Sequence, residues 1–300
     1  MKNSNSKRIS LVLGSGGARG LAHIGVIRWL EKHDFKIASI SGSSMGALIG
    51  GVYAMGKLDE FESWVKAIDK MDIIALLDLA WESSGLIKGD KIINTLIGIV
   101  GDQHIEDLPL RYTAVASDIG REKEVWINDG RLFDAIRASI SLPLFFTPVE
   151  RNGIQLIDGG VLNPVPIAPT FHDDTDMTIA VNLGGKLAQV ETAPSKSPLI
   201  DPLPTEEKDL KARIKHFIRK IKHTASRVTD IDLDAYDIAN QAFDAMQSTI
   251  AREKLAAYPP DHLIEIARNA CGTLEFDRAE EMIALGYTRA SEALSDLVSH

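Results

Sequence analysis

The twenty residues from Ile37 to Gly56 constrain this chain more than any other stretch. They open on Ile37, Ala38 and Ile40, a short apolar run of strand character. They pass through Gly42-Ser43-Ser44-Met45-Gly46 and continue into small and aliphatic residues of helical character. A G-x-S-x-G pentapeptide between a strand and a helix is the nucleophile elbow, a turn so sharp that its serine hydroxyl is lifted onto an exposed, strained corner. Gly42 and Gly46 suit it because a side chain at either place would collide across the turn. The helix N-terminus adds unpaired N–H groups and a positive partial charge at the same corner. Ser44 is therefore the candidate nucleophile. The competing reading is an ordinary glycine-serine loop, and partners elsewhere in the chain must decide.

One partner stands upstream. Lys7 to Leu13 reads as a strand that runs into Gly14-Ser15-Gly16-Gly17-Ala18-Arg19-Gly20, and Leu21 to Lys32 has apolar residues at helical spacing. A glycine-rich turn between strand and helix leaves N–H groups free to face an anion. A dinucleotide fingerprint requires glycine where Arg19 stands and an acidic residue after the second strand, where Ser41 stands. A phosphate-binding P-loop requires G-K-[ST], which is absent. The remaining chemical reading is an oxyanion hole made by the N–H groups of Gly16, Gly17 and Ala18. Such donors contribute about 3–4 kcal/mol each in comparable hydrolases. A plain glycine turn stays open beside it.

The other partner lies downstream, where Ile154 to Ile157 reads as a strand that delivers Asp158, followed by Gly159-Gly160 and Asn163-Pro164-Val165-Pro166. The glycines leave the carboxylate uncrowded. It either caps the turn or serves as a general base hydrogen-bonded to Ser44. Aspartate is a weak base near pKa 3.9, so burial must raise it for that work. The histidine alternatives are poor. His216, His223 and His262 read as solvated residues on charged helices, and His23 reads as a packing residue of the first helix.

The rest of the chain fills in a mixed α/β pattern. Helical spacing runs through Phe61, Trp64, Val65 and Ile68, and again from Ile92 to Val100. Between them, Met71 to Trp81 reads as core or lid, and Ser84 to Gly89 as a turn. Arg111 to Asp118, Glu124 to Asn128 and Met177 to Leu183 read as strands. Leu132 to Ser139 reads as a helix stopped by Pro143. Residues 186–206 carry four prolines and read as a linker or lid. Lys208 to Val228 is a basic amphipathic helix that either lies on anionic lipid or packs its apolar stripe on the domain. Further helices are expected at Ala235–Leu255, Leu263–Asn269 and Arg278–Leu285, with a last one ending at Leu297.

A net charge of −9 argues against nucleic-acid binding. One cysteine, Cys271, excludes an internal disulfide and a cysteine-built metal site and suits a reducing compartment. No apolar run approaches the 18 or so residues of a membrane span. The expectation is a cytoplasmic protein, with peripheral membrane contact through 208–228 as an addition.

With these motifs placed, the chain resembles the patatin-like phospholipases. Gly14 to Gly20 matches their oxyanion loop, Gly42-Ser-Ser44-Met-Gly46 their elbow, and Asp158-Gly159-Gly160 their aspartate motif. Arg137-Ala-Ser139-Ile-Ser141-Leu-Pro143 and Asn163-Pro-Val-Pro166 are similar to the connecting segments. The tail around Tyr258-Pro259-Pro260 and Phe276 to Ala290 is similar to the bacterial, neuropathy-target-esterase-like branch. The resemblance implies a three-layer α/β/α sandwich around a mostly parallel sheet, with a catalytic domain at 9–185 and a helical C-terminal region at 207–300 packing on it. It implies Ser44 as nucleophile, Asp158 as proton acceptor, and an oxyanion hole at Gly16, Gly17 and Ala18. Gly14, Arg19, Gly20, Gly42, Gly46, Gly159 and Gly160 support the motifs. The implied reaction is metal-free and cofactor-free hydrolysis of a phospholipid, lysophospholipid or other acyl ester; a second copy of the chain is a further implied partner. Two rivals remain: acyl transfer to an acceptor other than water, and a lipid-binding or regulatory protein without turnover.

Overall fold

A computed structural model describes residues 6–68, 89–143, 145–188 and 231–298. Met71 to Trp81, residues 84–88, most of the 186–206 segment and the basic helix of 208–228 lie outside the described residues, as do His216, His223 and His300. Two compact units divide the chain: residues 1–188 with 244–300, and residues 189–243. Only the beginning of a helix is described in the second.

Eight strands make one sheet: β1 (Arg8–Leu13), β2 (Lys36–Ser43), β3 (Arg111–Asp118), β4 (Lys123–Ile127), β5 (Val149–Arg151), β6 (Ile154–Asp158), β7 (Met177–Gly185) and β8 (His262–Ala267). Their order is β5-β6-β3-β2-β1-β7-β8, with β4 paired to β3. The five strands β3, β2, β1, β7 and β8 run parallel, and β4, β5 and β6 form the antiparallel edge. Alternation along the strands divides the core. Ile9, Leu11, Leu13, Ile179, Val181 and Leu183 join the larger cluster on one face, while Val12 and Ala180 meet Val165, Ile167 and Ala251 on the other.

The larger cluster is covered by α1 (Ala22–Lys32), α2 (Met45–Ala54), α3 (Leu58–Ala67), α4 (Asp90–Val100), α5 (Leu132–Ser139) and α7 (Ala279–Ala293). The opposite face receives Ala251 from α6 (Ile231–Ala257), and a short α8 (Ser295–Val298) ends the described chain. This is the mostly parallel sheet with helices on both faces that the motifs imply. Among the described residues, no helix is long and apolar enough to cross a membrane.

One expected helix is a strand. Leu263 to Asn269 does not continue the helical series: residues 262–267 form β8, parallel to β7, with Ile264 and Ile266 buried and Glu265 exposed. Period two is therefore the physical pattern. A six-residue segment with three large aliphatic residues fits either period when read alone, and the open edge of β7 decides it. That edge pulls the C-terminal segment into the sheet, and α7 then returns along α1.

Close backbone approaches fix one turn and one helix crossing. A Cβ at Gly46 would stand 2.0 Å from the Leu13 carbonyl oxygen, so only glycine lets α2 start against the end of β1. The α1–α7 crossing is equally tight, since a Cβ at Gly286 would stand 1.9 Å from the Ala22 carbonyl oxygen and one at Gly25 would stand 1.9 Å from that of Ile283. Backbone cannot yield there as a flexible side chain would. Gly286→Ala should therefore destabilise the fold by about 1–3 kcal/mol, read as a lower urea midpoint at unchanged slope. An unchanged midpoint would mean that the two helices are not held this closely.

Candidate active site

In open parallel sheets the loops leaving the carboxyl ends of the strands converge on one edge. Here β1 exits into the glycine loop and β2 into Ser44. The antiparallel β6 is brought to the same place by register. Strand β3 pairs with β2 as far as Ser43↔Val115 and with β6 from Ala116↔Asp158 onward. Its other edge is occupied by β4 from Ala114 to Asp118. Strand β6 thus takes over the edge of β3 that β2 has just left, and Asp158 arrives beside Ser44.

Ser44 has φ 54° and ψ −123°. That left-handed conformation costs a non-glycine residue about 1–3 kcal/mol and persists only where its surroundings enforce it. The Ser44 N–H donates to Ser139 Oγ at 2.9 Å, and the Ser139 hydroxyl donates to the Val115 carbonyl at 2.6 Å. The Ser44 hydroxyl donates to Asp158 Oδ2 at 2.5 Å. Asp158 Oδ1 accepts from the Gly160 N–H at 2.7 Å, so one carboxylate oxygen caps the turn while the other faces Ser44. The Asp158 N–H donates to the Ser141 carbonyl at 2.9 Å. Segment 139–141 therefore braces both residues. Arg137 supports it through bonds to Ser141 Oγ at 2.6 Å and Asp90 at 2.9 Å. The individual signals for these roles were weak, because a serine acting through a bond to a residue 95 positions away leaves no local pattern.

Asp158 is fully buried. Burial pushes its carboxyl from 3.8 up to about 7, against the opposing hydrogen bonds from Ser44 and Gly160. His23 is also fully buried and is more than a packing residue. Its Nε2 bonds the Gly14 carbonyl at 2.8 Å, and burial lowers its pKa to about 4, so the imidazole stays neutral at the start of the glycine loop. His262 begins β8 rather than sitting on a helix.

The glycine loop is tied on several sides. The N–H groups of Gly14 and Ser15 donate to the Val181 and Pro164 carbonyls at 3.0 and 2.8 Å. Ala18 N–H donates to the Thr273 carbonyl at 2.9 Å. Of the expected trio, Ala18 is thus already engaged, while Gly16 and Gly17 N–H carry no backbone bond among the described residues. Arg19 points away from the corner; it is buried and reaches Asp244 at 2.9 Å and the Arg268 and Cys271 carbonyls at 3.0 and 3.2 Å.

A cavity of about 140 Å³ opens over Ser44 and Gly17. Leu21, Met45 and Leu48 line it from the elbow side, Phe61, Trp64, Ile92 and Leu96 from α3 and α4, and Thr273, Leu274 and Phe276 from the C-terminal segment. An apolar cavity with few polar groups converging on one end suits a molecule with a long apolar part and one reactive polar group.

The family model for patatin-like phospholipases matches residues 11–171. NTE family proteins of Mycobacterium bovis and Mycobacterium tuberculosis are 38% identical over 98% of this chain and 93% of theirs. A protein named lysophospholipase NTE1 from Yarrowia lipolytica is 32% identical over 188 residues, which cover 60% of this chain and 13% of that one. VipD of Legionella pneumophila aligns with a TM-score of 0.45 and 13% identity over 97% of this chain and 67% of its own. The chain belongs to the patatin-like phospholipase family and is a lipid ester hydrolase.

Proposed function

We propose that this hydrolase cleaves acyl esters of phospholipids or lysophospholipids through an acyl-enzyme on Ser44, with Asp158 as the only proton acceptor. The observation that carries the reading is the 2.5 Å bond from the Ser44 hydroxyl to a fully buried carboxylate. As Ser44 Oγ attacks the acyl carbonyl, its proton passes to Asp158 Oδ2. The carbonyl oxygen becomes an oxyanion facing the N–H groups of Gly16 and Gly17. The tetrahedral intermediate expels the alcohol, which leaves with the proton from Asp158. Water then gives a proton to Asp158 and its oxygen to the acyl carbon. Collapse returns the proton to Ser44 and frees the fatty acid.

A carboxylate is suited to this task only if its proton affinity approaches that of a working base at neutral pH, and burial supplies that. The two free glycine donors give the oxyanion fewer partners than the expected trio. Ala18 would join them only by releasing Thr273.

Three outcomes follow. Ser44→Ala and Asp158→Asn should each lower fatty-acid release from a lysophospholipid and a p-nitrophenyl ester by about 10³-fold or more, and fluorophosphonate should label only proteins that retain Ser44. Activity surviving in Asp158→Asn would remove the carboxylate from the mechanism. The acylation rate of the wild type should rise about tenfold per pH unit below about 7 and level off above it, because only ionised Asp158 accepts the proton. A plateau already reached near pH 5 would contradict the buried base.

Stability carries the opposite sign. The folded carboxyl titrates near 7 and the unfolded one near 3.8, so the folded state holds the extra proton between those values. Stability therefore falls as pH rises through that window. Asp158→Asn removes the term, and its stability relative to wild type should grow between pH 4 and pH 8 by an amount on the order of a few kcal/mol. Urea unfolding at the two pH values reads it, and a pH-independent difference would count against the shift.

A further inference from the structure

The segment between β8 and α7, residues 268–276, lies beyond the residues that the family model matches, 11–171. It nevertheless reaches the reactive corner. Thr273, Leu274 and Phe276 line the cavity that contains Ser44. We propose that Leu274 and Phe276 are specificity-determining residues that set the length of acyl chain the site accepts. The inference rests on the reading of Ser44 as the acylated residue and adds to it which wall measures the substrate.

Three observations make this segment a fixed wall rather than a loose cover. Its backbone is anchored to the glycine loop by Ala18 N–H on the Thr273 carbonyl and by the Arg19 guanidinium on the Arg268 and Cys271 carbonyls. Arg19 is itself held by Asp244. The approach is close: Gly17 has φ 54°, and a Cβ there would stand 2.6 Å from the Thr273 carbonyl oxygen. The turn is also closed on itself, with Gly272 N–H donating to Glu275 Oε2 at 2.9 Å and Glu275 paired with Arg278 at 2.8 Å. A wall pinned to the loop facing the reacting carbonyl keeps a constant distance from it. Chain length is then measured from the point of attack by the side chains of Leu274 and Phe276, which line the same cavity as Ser44.

The residues that α3 and α4 contribute to the lining are apolar as well, so polarity does not discriminate between acyl groups there. Steric fit does. A methylene gained or lost in an apolar pocket changes selectivity by about 10-fold or more.

The test is the ratio of kcat/KM for p-nitrophenyl laurate to that for p-nitrophenyl butyrate. It is measured within each preparation of wild type, Leu274→Ala, Phe276→Ala and Leu274→Trp. Both esters are turned over by the same folded molecules, so a loss of folded protein cancels. The two alanine variants should raise the ratio about tenfold and the tryptophan variant should lower it about tenfold. Leu274→Val, one methylene smaller, should shift it in the alanine direction and keeps the test open if Leu274→Ala does not fold. Ratios within twofold of wild type in all variants, with wild type active and labelled by fluorophosphonate, would overturn the inference and leave the Ser44 reading standing. A wild type that neither hydrolyses the esters nor takes the label would overturn the Ser44 reading itself, and this inference with it.

Discussion

Strand β3 changes partners at one point along its edge, and the site depends on that exchange. Strand β2 pairs as far as Val115 and then turns away through Ser44, while β6 begins to pair at Ala116 with Asp158. Two residues 114 positions apart in sequence thus become neighbours through sheet register alone. The Val115 carbonyl sits at the junction. It accepts the Ser139 hydroxyl, which accepts the Ser44 N–H, and Gly159 passes so close that a Cβ would stand 1.9 Å from it. Register in a sheet packed on both faces cannot slip by one residue without exchanging the side chains of its two cores. The Ser44–Asp158 distance is therefore as well determined as the core.

The same burial that secures the geometry sets the chemistry. Two hydrogen bonds to the Asp158 carboxylate, from Ser44 and Gly160, do not offset desolvation, so its proton affinity rises. A paired or solvated carboxylate would be more stable and a poorer base. The strained φ of Ser44 has the same character, since its cost is carried by surrounding structure and its result is a hydroxyl that lines the cavity and bonds Asp158. Stability is lower at both residues than a sequence free of function would require.

The parts legible in the sequence are those whose cause is local. The elbow is a steric necessity written in Gly42, Ser44 and Gly46, and the turn after Asp158 is written in Gly159-Gly160. Strands β1, β2, β3 and β7 announce themselves by short runs rich in aliphatic and small residues, as buried parallel strands do. What the sequence hides is set by distant partners. Leu263 to Ala267 carries too few residues to choose between helix and strand, and the edge of β7 chooses. Ser139 is one serine among many until Ser44 needs a hydrogen-bond acceptor. Ala18 reads as one of three equivalent donors, yet a carbonyl 255 residues later claims its N–H. His23 falls on a helix face and reads as filler, and only the fold sets the Gly14 carbonyl opposite its ring.

Arg19 shows why the C-terminal segment cannot be treated as an appendage. A guanidinium buried behind a glycine loop has five N–H donors and no acceptor, so it must find hydrogen-bond acceptors. Its acceptors come from Asp244 on α6 and from the carbonyls that follow β8. The glycine loop and the segment that follows β8 are consequently one hydrogen-bonded body. Under the proposed mechanism, any change that loosens the wall would reach the oxyanion donors through Ala18 and Arg19, so substrate fit and transition-state stabilisation would not be independent variables.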